Sequence, residues 1–281
     1  MGRLDIRNAA RERSPRAESL QVDFARTMDA LARGFRVGDI ATAPIEKCDE
    51  YEAVDSVRRR FRGRFDNIPV QSGGRVIGVL QPAGVEDKSK PAGQVMLKLS
   101  DSMLIEESAS LLESLESLAG SGSFRLVLRR SRVEAIVTGS DLLKLPVRAL
   151  AFSVITQLER AMAECIQARY AKSEEWLGLL SEGRKARVLE KEARLKRYRR
   201  DPERIELTDI CDKRKICGYL LEERVRSKFK SDLIEIEAVR NALAHGGADL
   251  TDGRGIDALV ESLGAAQSWF RELIRRAAAM Q

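Results

Sequence analysis

Histidine is nearly absent from this chain of 281 residues: there is one, His245, beside four cysteines at positions 48, 165, 211 and 217 with no Cys-x-x-Cys pair among them. A structural zinc centre needs four thiolate or imidazole ligands, mostly in short pairs, so none is expected and no metal is assigned. The thiols read as reduced, mostly buried side chains. Aromatic residues make up 5% of the chain, too few for a nucleic-acid surface built on exposed stacking platforms. No apolar run reaches the roughly 20 residues that cross a bilayer, so no membrane association is expected. The start, Met1-Gly2-Arg3-Leu4-Asp5, has no apolar core behind its charges. It does not read as a secretion signal, and a cytoplasmic location is the expectation.

Hydrophobic residues at 43% and charged residues at 33% describe a folding chain long enough for two or three compact units. The formal charge is +6, much of it arginine. This suits an anionic partner such as RNA or a nucleotide, and equally a solvated, mildly basic surface.

Three regions follow. Residues 1–35 form a basic segment and then a helix through Leu20, Phe24, Met28 and Leu31 to about Gly34. Residues 36–151 carry an internal repeat: displaced by 57 positions without a gap, Val54 falls on Leu111, Phe61 on Leu118, Val70 on Val127 and Arg75 on Arg132. Each copy reads as a helix (residues 49–62 and 106–119) followed by a hairpin. The first hairpin joins Ile68-Pro69-Val70 to Val76–Leu80 through residues 71–74, and the second joins Leu126-Val127-Leu128 to Val133–Val137. Residues 152–281 are helical throughout. Phe152, Ile155, Leu158, Met162 and Ile166 make one stripe, extended by Trp176, Leu177 and Leu180 until Gly183, and Ile256, Leu259, Leu263, Phe270 and Leu273 make the last. The fold class is therefore α+β: tandem helix-hairpin repeats followed by an all-α bundle.

The repeat resembles the CBS domain family, whose members occur in tandem and pack as a pseudo-symmetric pair; the resemblance implies that each copy is a βαββα unit. The resemblance rests on the helix-hairpin unit and on Ala135-Ile136-Val137-Thr138-Gly139-Ser140-Asp141-Leu142. It implies a nucleotide site in which Asp141 accepts hydrogen bonds from ribose hydroxyls and Thr138, with Ser140, meets a phosphate; an adenine nucleotide would be a regulatory ligand and no cofactor is required. The chemistry is sound by itself, since a carboxylate matches a vicinal diol and a first helical turn offers free N–H groups to an anion. Equally, Ser140 and Asp141 fit as caps of the turn that follows. The first copy has Gln81-Pro82-Ala83-Gly84 at the equivalent positions, with no aspartate, so at most one cleft is equipped.

On a helix from about 232 to 245, Leu233, Ile236, Val239 and Leu243 form a core stripe. Asn241 and His245 share a second face with Ile234 and Ala238, and Arg240 stands near the edge of the stripe. Spacing alone leaves His245 as a C-terminal capping cation before Gly246-Gly247, or as a proton carrier beside a phosphate-binding arginine. Arg240-Asn241-Ala242-Leu243-Ala244-His245-Gly246 is similar to the Arg-polar-x3-His signature of the HEPN superfamily. That resemblance covers residues 152–281 and implies a metal-independent endoribonuclease, working as a homodimer across a composite cleft. His245 would then move the 2′-OH or leaving-group proton, Arg240 would stabilise the phosphate, and Asn241 would orient one of them. Arg184, Lys185, Arg194 and Arg197, in a run of charge that also reads as a solvated face, would guide RNA. The alternative is a non-catalytic dimeric nucleotide- or RNA-binding regulatory protein.

Overall fold

A computed structural model describes residues 15–120, 123–198, 202–244 and 255–280. Of these, 29–151 and 255–260 form one compact unit, and 15–28, 152–244 and 261–280 form the other.

Helix α1 (Pro15–Gly34) opens the chain. In the first repeat, β1 (Cys48–Asp49) leads to α2 (Val54–Phe61), β2 (Ile68–Ser72) and β3 (Arg75–Leu80). A four-residue helix α3 (Ala92–Val95) and β4 (Leu97–Lys98) follow, and the first sheet has the order β1-β2-β3-β4. The second repeat comprises β5 (Leu104–Glu106), α4 (Leu111–Leu118), β6 (Phe124–Arg129) and β7 (Arg132–Thr138), with sheet order β5-β6-β7. In both, the first strand is parallel to the second and the second antiparallel to the third.

The displacement of 57 carries α2 onto α4 from end to end. It also carries the irregularity in register between Val70 and Gln71 onto the one between Val127 and Leu128. Val54, Val57 and Phe61 bury one face of α2, and Leu111, Leu115 and Leu118 do so for α4, the 3.6-residue periodicity that makes each an amphipathic helix. The helices expected over 49–62 and 106–119 begin later. Cys48–Asp49 and Leu104–Glu106 instead pair with β2 and β6, and strands of two or three residues are too short to show a period of two. Both hairpins turn through two residues at positive φ: Gly73 (54°) and Gly74 (79°) in the first, Arg130 (49°) and Ser131 (63°) in the second.

The segment leading into each repeat binds the other one. Val37 N and Gly38 N donate to Ala109 O and Glu107 O, each at 3.0 Å, while Leu111 N donates to Phe35 O at 3.0 Å. Conversely, Ala92 N and Gly93 N donate to Glu52 O and Glu50 O at 2.8 Å. Strand β4 then pairs with β3, and Thr42 forms an antiparallel bridge with Ile136 of β7. Val79, Phe124 and Leu126 make a core shared by the two repeats.

The helical unit continues with α5 (Leu145–Arg169), which begins in the repeat unit, then α6 (Ser173–Leu177), α7 (Glu182–Arg197), α8 (Ile210–Leu220), α9 (Glu223–Ala244) and α10 (Ile256–Met280). The chain leaves helix at 170–172 and 178–181, so Gly183, expected to interrupt the stripe, lies inside the first turn of α7. Ile155, Leu158, Met162 and Cys165 of α5, Phe229, Leu233 and Ile236 of α9, and Leu263, Phe270 and Leu273 of α10 are buried. Phe24 stacks on Phe270, and Trp269 packs edge-on against Phe229 while its Nε1 donates to Asp232 Oδ2 at 2.8 Å.

Candidate functional site

In the repeat unit, β7 ends at Thr138 and the chain enters a 3-10 turn over Gly139–Leu143. Asp141 is buried, 5% exposed, with both carboxylate oxygens engaged. Its Oδ2 accepts from Thr138 N at 2.7 Å and Thr138 Oγ1 at 3.0 Å, a reciprocal cap of the turn. Its Oδ1 accepts from Thr42 Oγ1 at 3.0 Å and pairs with Lys144 Nζ at 2.7 Å. Lys144 also donates to Ile40 O at 2.5 Å and to Thr42 Oγ1 at 3.2 Å. Ser140 Oγ lies 2.9 Å from Thr138 Oγ1.

Thr138, Ser140 and Asp141 are thus brought together, and two residues the sequence reading missed join them. Thr42 arrives through its bridge to β7, a signal hidden in a segment that precedes the other repeat. Lys144 follows Asp141 by three residues, one helical turn, which is a legible spacing for an ion pair. Ala43, Pro44 and Ile45, directly after Thr42, line a cavity of about 410 Å³ with Lys47, Arg129 and Glu134. In the first repeat the equivalent turn, Pro82–Gly84, carries no carboxylate, and Gln81 donates to Asn67 Oδ1 at 2.9 Å.

On α9, Leu233, Ile236 and Val239 face the core as expected, Leu243 is half-buried, and Ile234 and Asn241 are exposed. Arg240 is half-exposed, with Nε 3.4 Å from Glu159 Oε1 of α5 and Nη1 3.5 Å from Asn241 Oδ1. Glu159 had no signal in the sequence, because it comes from a helix some eighty residues away. His245 lies outside the described residues, as do Gly246, Gly247, Arg199 and Arg200.

The basic run divides. Arg184 Nε pairs with Asp212 Oδ1 at 2.7 Å, and its Nη2 reaches Asp209 Oδ2 at 3.1 Å and Cys211 Sγ at 2.5 Å. Lys185 is half-buried, whereas Arg194 and Arg197 are exposed. Hydrogen bonding to Asp212 raises the Arg184 pKa. Burial pushes Asp209 up, but Lys191, Arg184 and Lys213 outweigh it and hold the carboxyl below its ordinary value. Burial drives the Lys213 ammonium down against the attraction of Glu159, Asp209 and Asp212; its Nζ donates to Thr208 O at 2.8 Å. Asp209, Cys211 and Asp212 place donor atoms within 4.8 Å of one another. Arg184 and Lys191 already sit on those atoms, so the cluster is an ion-pair network and does not fit a metal ion.

No family model matches the chain, and no curated protein does. Solved structures do. One is a hemolysin-like protein containing a CBS domain from Oenococcus oeni PSU: 12% identity, TM-score 0.34, 42% of this chain and 94% of that one. Another is the CBS domain of a CBS domain containing membrane protein from Sphaerobacter thermophilus: 17% identity, TM-score 0.35, 46% of this chain and 97% of that one. A third is protein MJ1225 from Methanocaldococcus jannaschii: 15% identity, TM-score 0.34, 42% of this chain and 50% of that one. Among the described residues no helix is long and apolar enough to cross a membrane.

Proposed function

We propose that this chain is a nucleotide-responsive regulator joined to a metal-independent endoribonuclease, with the tandem repeat as sensor and the helical unit as effector. The observation that carries the sensor reading is the convergence of Thr42, Thr138 and Lys144 on the Asp141 carboxylate, with Ser140 bonded to Thr138 beside it. Lys144 is part-exposed at 41%, and its ammonium holds Asp141 Oδ1 where a ribose hydroxyl would sit. A nucleotide would exchange with it, the diol taking the carboxylate and the released ammonium meeting a phosphate. An adenine nucleotide is the ligand we assign.

For the effector, Glu159 orients Arg240, which would neutralise the charge developing on a scissile phosphate, and exposed Asn241 would orient the phosphate or His245. His245 would take the 2′-OH proton or give one to the leaving 5′-oxygen, forming a 2′,3′-cyclic phosphate and leaving DNA intact. Such chemistry would act in a homodimer across a shared cleft, in the cytoplasm, and would suit stress response or anti-phage defence.

The test is labelled RNA with full-length protein in a metal chelator. Cleavage to cyclic-phosphate ends that falls at least a hundredfold in Arg240→Ala and His245→Ala supports the effector reading. Equal activity in the wild type and both variants overturns it. Calorimetry with AMP, ADP and ATP tests the sensor: heat that Asp141→Asn abolishes supports it, and no heat with any of them overturns it. The second reading, a non-catalytic dimeric nucleotide- or RNA-binding regulator, is favoured by one fact: Arg240 and Asp141 are both already engaged by protein partners.

A further inference from the structure

A second basic feature of the helical unit is built from residues other than Arg240. Residues of α8 and α9, with the start of α7, line a cavity of about 390 Å³. Four cationic side chains line it: Arg184, Arg214, Lys215 and Lys230. The arginines are pinned, Arg184 by Asp212 and Asp209 and Arg214 by Glu237 at 3.1 Å, so their forks are fixed and their charge is balanced. Lys215 and Lys230 are exposed and, among the described residues, neither is paired with a carboxylate. The uncompensated charge of the cavity therefore belongs to these two lysines. Ser181 caps the N-terminus of the sixteen-residue helix α7 without using its side chain in the cap, and the free amides of that first turn add positive potential. Ile234, 53% exposed, supplies an apolar wall.

Lys230, Ile234, Ala238 and Asn241 are spaced by four, four and three residues, so they run along one face of α9. From Ile234 to Asn241 is about 10 Å along the helix, at 1.5 Å per residue. That distance lies within the reach of a short single strand.

We propose that this cavity docks the sugar-phosphate backbone of RNA beside the Arg240–Asn241 site, with Lys215 and Lys230 each holding a phosphate and Ile234 packing against a ribose or base. The assignment of RNA rests on the ribonuclease reading above. The pocket sets where the strand lies relative to Arg240 and takes no part in proton transfer.

The experiment uses the full chain and a fluorescent 2′-O-methyl decaribonucleotide, which lacks the free 2′-OH and is not cleaved. Lys215→Glu with Lys230→Glu should weaken binding at least tenfold and lower the slope of log K against log salt by about 1.4, two phosphate contacts on a single strand. Lys88→Glu with Lys90→Glu, the same charge change at exposed positions of the repeat unit, should leave binding within about twofold. Equal loss in both pairs, no loss in the first, or no binding by wild type overturns the proposal. So does binding of AMP, but not of the oligonucleotide, that depends on Lys215 and Lys230. If the strand binds through these lysines and is never cut in its 2′-OH form, the pocket stands and the nuclease reading falls. If RNA is cut and the lysine pair leaves KM unchanged, the pocket falls and the nuclease reading stands.

Discussion

The lysine on Asp141 is the residue whose removal says most about the repeat. Lys144→Met leaves a carboxylate that is 5% exposed with one cationic partner fewer, and losing a partner from a buried charge costs about 1–3 kcal/mol. The thermal midpoint of the repeat unit should fall by several degrees, read by calorimetry. Thiols set a second residue-scale prediction. Burial pushes Cys48 and Cys165 from 9.0 up to about 11, and raises Cys217 well above its ordinary value too. A folded-state pKa above the unfolded one means stability present below pH 9 and lost as pH rises through about 11. Lys213, held below its ordinary value, works in the opposite direction but is a single group. Denaturant midpoints should therefore drop between pH 9 and 11, and Cys165→Ala should flatten the drop. At pH 8, thiol reagents should leave these three cysteines untouched in the native protein. Thr138, Ser140 and Asp141 were legible in sequence because one turn holds all three. Thr42 and Glu159 were not, since each reaches its partner from a segment 80 to 100 residues distant.

Among the elements, the hairpins invite the sharpest comparison. Gly73-Gly74 and Arg130-Ser131 occupy matching turns at positive φ, where a side chain costs about 1 kcal/mol per residue. Two-residue hairpins of this kind favour Asn-Gly. Arg130→Asn with Ser131→Gly should thus raise the thermal midpoint by several degrees without touching the Asp141 site, a gain checked by melting and by unchanged nucleotide heat. Gly78 predicts the reverse. A Cβ there would meet the Leu97 carbonyl oxygen and the Met96 side chain, so Gly78→Ala should destabilise by about 1–3 kcal/mol and speed amide exchange in β4. Its counterpart under the 57-residue displacement is Ala135, buried on β7. The repeat, its helices and its hairpins were readable because amphipathic periodicity and turn chemistry are local. Strands β1, β4 and β5 were not: at two or three residues each, they exist only through their partners.

Across the whole molecule, chain order and compact units do not coincide. A fragment of residues 36–151, the division that sequence texture suggests, omits Phe35, whose carbonyl holds Leu111 N at the start of α4. It also omits Asp257, whose carboxylate accepts from Gly120 N at 2.7 Å. That fragment should melt below the same unit in the intact chain, and a longer fragment beginning at residue 29 should recover part of the loss, measured by circular dichroism. The exchange of leading segments reaches further. A lone repeat would expose the edge its neighbour's arm covers and leave its own arm unpaired, so two separate copies could complete each other only by meeting in solution. Joining them in tandem turns that encounter into an intramolecular one, at an effective concentration in the millimolar range or above for so short a tether. The pairing of the repeats is thereby freed from dependence on how abundant the protein is.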